Sequence, residues 1–192
     1  MTLCWTASGV LPPIALNEHP TGRDRSPYLL SMPEAIDYFV TTKPRLVLFR
    51  GLLRYRRAMH DVGICNGFQW INGSFVEQVE VMKNRPPNDI DVVTFAHLPQ
   101  GCASQKDLIT QNPDLFTSET ARVSFSVDGY LVFLDELSAD KIISQATYWY
   151  SMWSKQRESF AWKGFIQISL SPDQDLPSGD ILITKEQEFD HA

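Results

Sequence analysis

Residues 86–95 read Pro-Pro-Asn-Asp-Ile-Asp-Val-Val-Thr-Phe, and residues 70–76, upstream of them, read Trp-Ile-Asn-Gly-Ser-Phe-Val. The first stretch predicts a β-strand, because an apolar, β-branched run follows a Pro-Pro-Asn turn signal. Alternate residues of a strand project to the same face, so Asp89 and Asp91 are predicted to point to one spot. Adjacent carboxylates repel unless a cation lies between them, and Mg²⁺ prefers oxygen-only sites that substrate phosphates complete. The stretch therefore indicates a metal site.

The upstream stretch indicates an anion site. Gly73 and Ser74 end a short apolar run that predicts a strand over about 67–71. A glycine at this position lets backbone N–H groups approach an anion, and the serine adds a hydroxyl donor. One half of the region therefore suits phosphate and the other half suits metal.

The order of these features resembles the nucleotidyltransferase superfamily of polymerase-β type, whose signature is a Gly-Ser or Gly-Gly turn, a spacer and an Asp-hydrophobic-Asp/Glu strand. More narrowly, the chain resembles a small uncharacterised bacterial and prophage family of this superfamily, on residues 25–28, 73–77, 87–93 and 162–164. Two departures affect the phosphate half. The spacer from residue 75 to residue 88 has 14 residues, slightly more than usual, and Phe75-Val76-Glu77 replaces the glycine and arginine that often follow the turn.

The resemblance implies an α+β fold in which helices flank a central mixed sheet. It implies a Mg²⁺- or Mn²⁺-dependent transferase that moves a nucleotidyl group from an NTP such as ATP to a hydroxyl of a protein, RNA or small-molecule acceptor. Asp89 and Asp91 would hold the metal, and Gly73 and Ser74 would bind the nucleotide phosphates. Small proteins of this superfamily often act in toxin–antitoxin or phage-defence systems. The alternative is a non-catalytic module that binds a nucleotide or a protein partner.

A third carboxylate is expected from a later strand, because the superfamily supplies one there. Residues 122–134 predict a second strand, and Asp128 just precedes its apolar core. Asp128 is the chosen third metal ligand and catalytic residue, acting at a second metal or as base on the acceptor hydroxyl; Asp135 is the fallback. The competing interpretation of Asp128-Gly129 is a hairpin turn.

Composition limits the remaining classes. The 192 residues predict a single domain over 1–192, with an extended lead-in over 1–30 and an acidic tail over 171–192. A net charge of −6 argues against general nucleic-acid binding. No apolar run is long enough for a membrane helix, and no secretory signal is evident. Three widely spaced cysteines without zinc-ligand spacing suit reduced thiols, so we expect a cytoplasmic protein.

Four helices are predicted from start signals and apolar stripes. They begin after Ser31, at about residue 45, after Ser104 and after Ser138. The second carries a basic stripe of Arg50, Arg54 and Arg57, which indicates either a solvated face or a surface for triphosphate or RNA. The last carries an aromatic stripe, interpreted as core rather than as a base-stacking surface. The stripe consists of Ile142, Ile143, Ala146, Trp149, Tyr150 and Trp153.

Two further segments complete the reading. Residues 75–84 suit either a helix or a strand, and the resemblance favours a helix that opens at Ser74. Residues 165–170 predict a last strand. Lys163 and Arg157 are weaker candidates for phosphate contacts, and the simpler interpretation is that both are solvent-exposed.

Overall fold

The computed structural model describes residues 3–191, apart from the side chain of residue 114. Residues 1, 2 and 192 of the predicted single domain lie outside this range. The protein is a mixed α+β structure, as predicted. The strands are β1 (Tyr28–Leu29), β2 (Gly67–Asn72), β3 (Ile90–Ala96), β4 (Val127–Phe133) and β5 (Ile166–Ser169). The helices are α1 (Met32–Phe39), α2 (Lys43–Asp61), α3 (Val79–Lys83), α4 (Gln105–Gln111), α5 (Pro113–Phe116), α6 (Ser118–Phe125), α7 (Ala139–Trp153) and α8 (Ser178–His191).

The five strands form one mixed sheet in the order β1-β5-β2-β3-β4. β2 pairs antiparallel with both β5 and β3, whereas β3 and β4 are parallel. A parallel pair needs a crossover connection, and α4, α5 and α6 provide it. This crossover brings the starts of β3 and β4 side by side.

The two faces of the sheet are packed differently, because successive strand residues point to opposite sides. One face carries Ile71, Val92 and Ile168, which join the large core formed with α1 and α2. The opposite face carries Trp70, Val93, Phe95 and Phe165, which pack against Trp149 and Trp153 of α7. The predicted aromatic stripe is therefore core at its two tryptophans, while Ile143 and Tyr150 of the same stripe are exposed.

The helix starts follow their sequence signals. Ser31 and Glu34 form the predicted capping box at α1, and Ser104 caps α4 through the backbone of Asp107.

The arginines of α2 lie in three different environments. Arg45 and Arg56 are buried, where they bind Glu80 and Asp175, whereas Arg54 and Arg57 face solvent and Arg50 pairs with Glu186 of α8. Arg54 and Arg57 thus lie on an exposed face, and a role of that face in binding triphosphate or RNA stays a prediction.

Two predicted elements are wrong. Residues 122–126 belong to or end α6 rather than a strand, because the Thr117 hydroxyl caps a helix in which Val123 faces solvent. The helix predicted to open at Ser74 is instead a 3-10 turn over Gly73–Val76, and α3 begins only at Val79.

The first and last segments that the structure describes both pack on this framework. Trp5 Nε1 donates to the Val76 carbonyl at 2.9 Å, and β1 pairs with β5. The segment after β5 contains α8, which buries Leu182 against α1 and α2. Within residues 3–191, none of the helices is both long enough and apolar enough to cross a membrane.

Candidate metal and nucleotide site

The parallel strands β3 and β4 align two of the predicted carboxylates. Asp91 and Asp128 are direct register partners, so both side chains project from the face that α7 covers. Asp89 lies just before β3, two residues from Asp91. The alternative hairpin interpretation of Asp128 is wrong, because Asp128 is the second residue of β4 and Gly129 continues the strand.

The fallback carboxylate lies at the other end of the sheet. Asp135 follows β4, where it accepts hydrogen bonds from the His97 ring and the Leu98 backbone, at 2.8 and 2.7 Å. Asp135 is seven positions after Asp128 in the chain, which corresponds to roughly 23 Å along an extended strand. Asp135 therefore belongs to a separate surface.

The Gly-Ser turn lies directly against the carboxylates. Gly73 has a φ of +76°, and a Cβ built on it would lie 1.6 Å from Asp91 Oδ2. Only glycine fits here, both for its left-handed backbone and for this contact. Ser74 follows within the same 3-10 turn and is partly exposed. The fold thus brings together the two halves of the region that the sequence singles out.

Arg122, which was predicted to lie in a strand, completes the cluster. Arg122 of α6 bridges two carboxylates: its Nε lies 3.2 Å from Asp89 Oδ2, and its terminal nitrogen lies 2.7 Å from Asp128 Oδ2. Ser118, one helical turn earlier, donates to the other oxygen of Asp128. Both oxygens of Asp128 are therefore engaged by α6.

The surroundings of Asp91 make ionisation of its carboxyl group unfavourable. Burial, together with the neighbouring charges of Asp89 and Asp128, raises the pKa of Asp91 to about 6. Lys163 and Arg157 oppose the shift. Three carboxylates face one bridging guanidinium, so the cluster retains excess negative charge.

Lys163 is buried rather than exposed, so the simpler interpretation of this residue is wrong. Its ammonium group pairs with the buried Glu77 and donates to the Gly73 carbonyl at 3.3 Å. Gln156 Nε2 donates to the other Glu77 oxygen at 2.9 Å. Burial lowers the pKa of Lys163, and the Glu77 charge offsets that effect. Arg157 is exposed, as that interpretation has it.

The donor set fits a hard divalent cation such as Mg²⁺ or Mn²⁺, which binds carboxylate oxygens, and its excess negative charge favours one. Across residues 3–191, however, no three His, Cys, Asp or Glu side chains are grouped as a ready metal site. Arg122 instead holds Asp89 and Asp128 in ion pairs. A metal would have to replace the guanidinium as their counter-ion.

Together, the fold and the site define an α+β protein with an acidic cluster beside a glycine turn at one end of its sheet. A family model matches residues 3–169, which include all five strands and every residue of the cluster. The chain belongs to this family, which is described as a family of unknown function (DUF6932). Neither a curated protein nor a solved structure matches the chain.

Proposed function

We propose that this protein is a Mg²⁺- or Mn²⁺-dependent nucleotidyltransferase that moves a nucleotidyl group from an NTP to an acceptor hydroxyl. The observation that carries the proposal is the register pairing of Asp91 with Asp128 on parallel strands, with the Gly73 turn packed on the Asp91 carboxylate. Asp89, Asp91 and Asp128 would hold the metal. When bound, it would neutralise negative charge on the nucleotide phosphates.

The chain's own groups account for the remaining steps. The backbone of Gly73 and the hydroxyl of Ser74 bind the terminal phosphates. Asp128 takes the proton of the acceptor hydroxyl, whose oxygen then bonds to the α-phosphorus. The bond from the α-phosphorus to the oxygen that bridges it to the β-phosphate breaks, and pyrophosphate leaves with the electron pair. The acceptor is a protein, RNA or small molecule.

A second candidate function is a non-catalytic module that binds a nucleotide or a protein partner. It is favoured by α6, because Ser118 and Arg122 together engage both oxygens of Asp128. A carboxylate held in this way is unavailable as a base. The two candidate functions differ in whether Ser118 and Arg122 of α6 release the Asp128 carboxylate when the metal and the nucleotide bind.

Cellular context belongs to the proposal as well. The three cysteines carry free thiols, which supports a cytoplasmic location. A role in toxin–antitoxin or phage defence rests on the sequence resemblance alone.

The first test is a thermal shift of the full chain with each of the four NTPs, with and without Mg²⁺. The transferase proposal predicts a nucleotide- and Mg²⁺-dependent rise in melting temperature that Asp91→Asn abolishes. Asp135→Asn is the matched control, because it removes a single carboxylate that lies beyond the far end of β4. Absence of any shift with all four NTPs would argue against nucleotide binding.

The second test separates transfer from binding. The protein is incubated with α-³²P-labelled NTP and cell extract as a source of acceptors, and released pyrophosphate is measured. Transfer predicts labelled product in amounts equal to the pyrophosphate, and Asp128→Asn should abolish both. Nucleotide binding without either product would favour the non-catalytic module.

A further inference from the structure

One buried side chain beside the carboxylates has an oxygen without a partner. Asn72 ends β2 and is 3% exposed. Its Nδ2 donates to the Trp153 carbonyl at 3.1 Å, whereas its Oδ1 has no hydrogen-bond partner among the described residues. A carbonyl can only accept, so the Trp153 contact fixes which end of the amide is nitrogen. The orphaned atom is therefore the oxygen.

Asn72 lies in the same cross-strand row as the carboxylates. It is the register partner of Asp91 on β2, and Asp91 is the register partner of Asp128 on β4. Residues paired in this way project from the same face, and in an antiparallel pair such as Asn72 with Asp91 the Cβ atoms are about 4.5–5.5 Å apart. The Asp91 carboxylate also packs on Gly73, the residue next to Asn72. Three oxygen-bearing side chains thus run side by side across three strands.

A buried carbonyl oxygen without a donor is unfavourable, because it has lost its hydration without replacement. The carboxylates beside it cannot help, since ionised carboxylates only accept hydrogen bonds. A divalent cation would satisfy this oxygen and the carboxylates together, because Mg²⁺ and Ca²⁺ sites commonly combine carboxylate and amide oxygens. An amide also adds a ligand without adding a fourth negative charge.

We propose that Asn72 Oδ1 is a further oxygen ligand of the divalent-cation site formed by Asp89, Asp91 and Asp128. This inference rests on the metal site of the proposed function, and it assigns one further ligand to that site. The last residue of β2 then supplies a metal ligand, and the turn that follows β2 supplies the phosphate contacts. The Trp153 carbonyl accepts the hydrogen bond that orients the Asn72 amide.

The test is calorimetric titration of the full-length protein with Mn²⁺ alone, without nucleotide. Asn72→Ala is expected to weaken Mn²⁺ binding roughly tenfold or more, in line with losses seen on removing groups that hold a metal. Asn72→Asp keeps the oxygen and adds a charge, so it is expected to bind Mn²⁺ at least as tightly as wild type. If Asn72→Ala does not fold, Asn72→Asp decides alone, and clearly weaker binding there would overturn the proposal.

Gln69→Leu is the matched control. Gln69 is another fully buried amide of β2, but it lies on the opposite face, where it contacts Arg56 and Thr94. Its replacement should lower the melting temperature and leave Mn²⁺ affinity unchanged. Equal Mn²⁺ affinity in wild type and Asn72→Ala would overturn the inference and assign Asn72 to anchoring Trp153 alone. Wild-type protein that binds no Mn²⁺ would overturn it as well.

The inference and the proposed function fail separately. Loss of Mn²⁺ affinity in Asn72→Ala, together with no transfer from any NTP, would support the ligand and refute the transferase. If transfer needs Mn²⁺ but Asn72→Ala binds Mn²⁺ as tightly as wild type, the role of Asn72 as a ligand is refuted and the transferase proposal stands.

Discussion

The carboxylate of Asp91 occupies the space that a side chain at Gly73 would need. A methyl group at residue 73 would approach Asp91 Oδ2 to 1.6 Å, and the backbone there has a φ of +76°. This contact joins the turn that would bind phosphate to the strand that would bind metal. It explains in physical terms why the two motifs occur together, although 15 residues lie between Gly73 and Asp89 in the sequence.

Gly73→Ala is expected to lower stability and to displace the Asp91 carboxylate. The left-handed backbone alone costs about 1–2 kcal/mol for a residue with a Cβ, and the clash with Asp91 adds to this. Gly101→Ala is the matched control, because Gly101 has a similar φ of +83° and nothing within 4 Å of its built Cβ. Denaturant unfolding of both variants measures the difference. Equal losses would mean that the Asp91 contact contributes nothing.

Asp91→Asn is expected to stabilise the metal-free protein above about pH 6. The pKa of Asp91 is raised to about 6 by burial and by Asp89 and Asp128, against 3.8 as its ordinary value. The folded protein therefore keeps a proton that the unfolded chain releases, and ionisation of Asp91 costs folding free energy. Wild type should lose stability relative to Asp91→Asn as the pH rises from about 4 to about 6.

Melting temperatures in chelator-containing buffer across this range measure the effect. Asp135→Asn should instead differ from wild type by a constant amount over this range, since the His97 hydrogen bond lowers the pKa of Asp135. The stabilisation that Asp135 supplies is complete above the ordinary pKa and is lost as the pH falls through the lowered one. A difference between wild type and Asp91→Asn that stays constant with pH would contradict the prediction.

Local sequence patterns were sufficient where a single segment decided its own structure. The capping box of Ser31 and Glu34 and the β-branched run after Asp91 each act over a few residues, and both elements formed as predicted. The strand predicted at residue 122 failed because Val123 and Phe125 alternate like strand residues, while the helix start lies upstream at Thr117. Because of that error, Arg122 and Ser118 were not recognised as partners of Asp128.

Pairing between distant residues could not be predicted. Lys163 looked like an exposed lysine in the sequence because its partner, Glu77, lies 86 residues away. The orphaned oxygen of Asn72 likewise depends on the carbonyl of Trp153, 81 residues on. The position of Asp128 beside Asp91 was expected from the family resemblance alone, because no local pattern encodes the parallel register of β3 and β4.

Arg122→Gln is expected to raise the affinity of the acidic cluster for Mn²⁺ in the absence of nucleotide. Arg122 holds Asp89 and Asp128 in ion pairs that a metal must displace, and it is half exposed. Exposed ion pairs are weak, so the gain should be roughly two- to fivefold. Arg57→Gln is the control, because it breaks a similar exposed pair with Asp61 on α2. Calorimetry with Mn²⁺ measures both, and weaker binding by Arg122→Gln would contradict the counter-ion role.

Lys163→Met is expected to destabilise the protein by about 3–5 kcal/mol, because it leaves the Glu77 carboxylate buried without its cation. Lys163 and Glu77 are both buried. The double variant Lys163→Met with Glu77→Gln removes both charges, so it should recover most of the loss. Guanidinium unfolding of the two single variants and the double variant measures the coupling. Additive losses would show that the pair is not coupled. A stable double variant that no longer shows an Mg²⁺-dependent NTP shift would in addition show that nucleotide binding needs the pair, whereas an unchanged shift would restrict the pair to stabilising the fold.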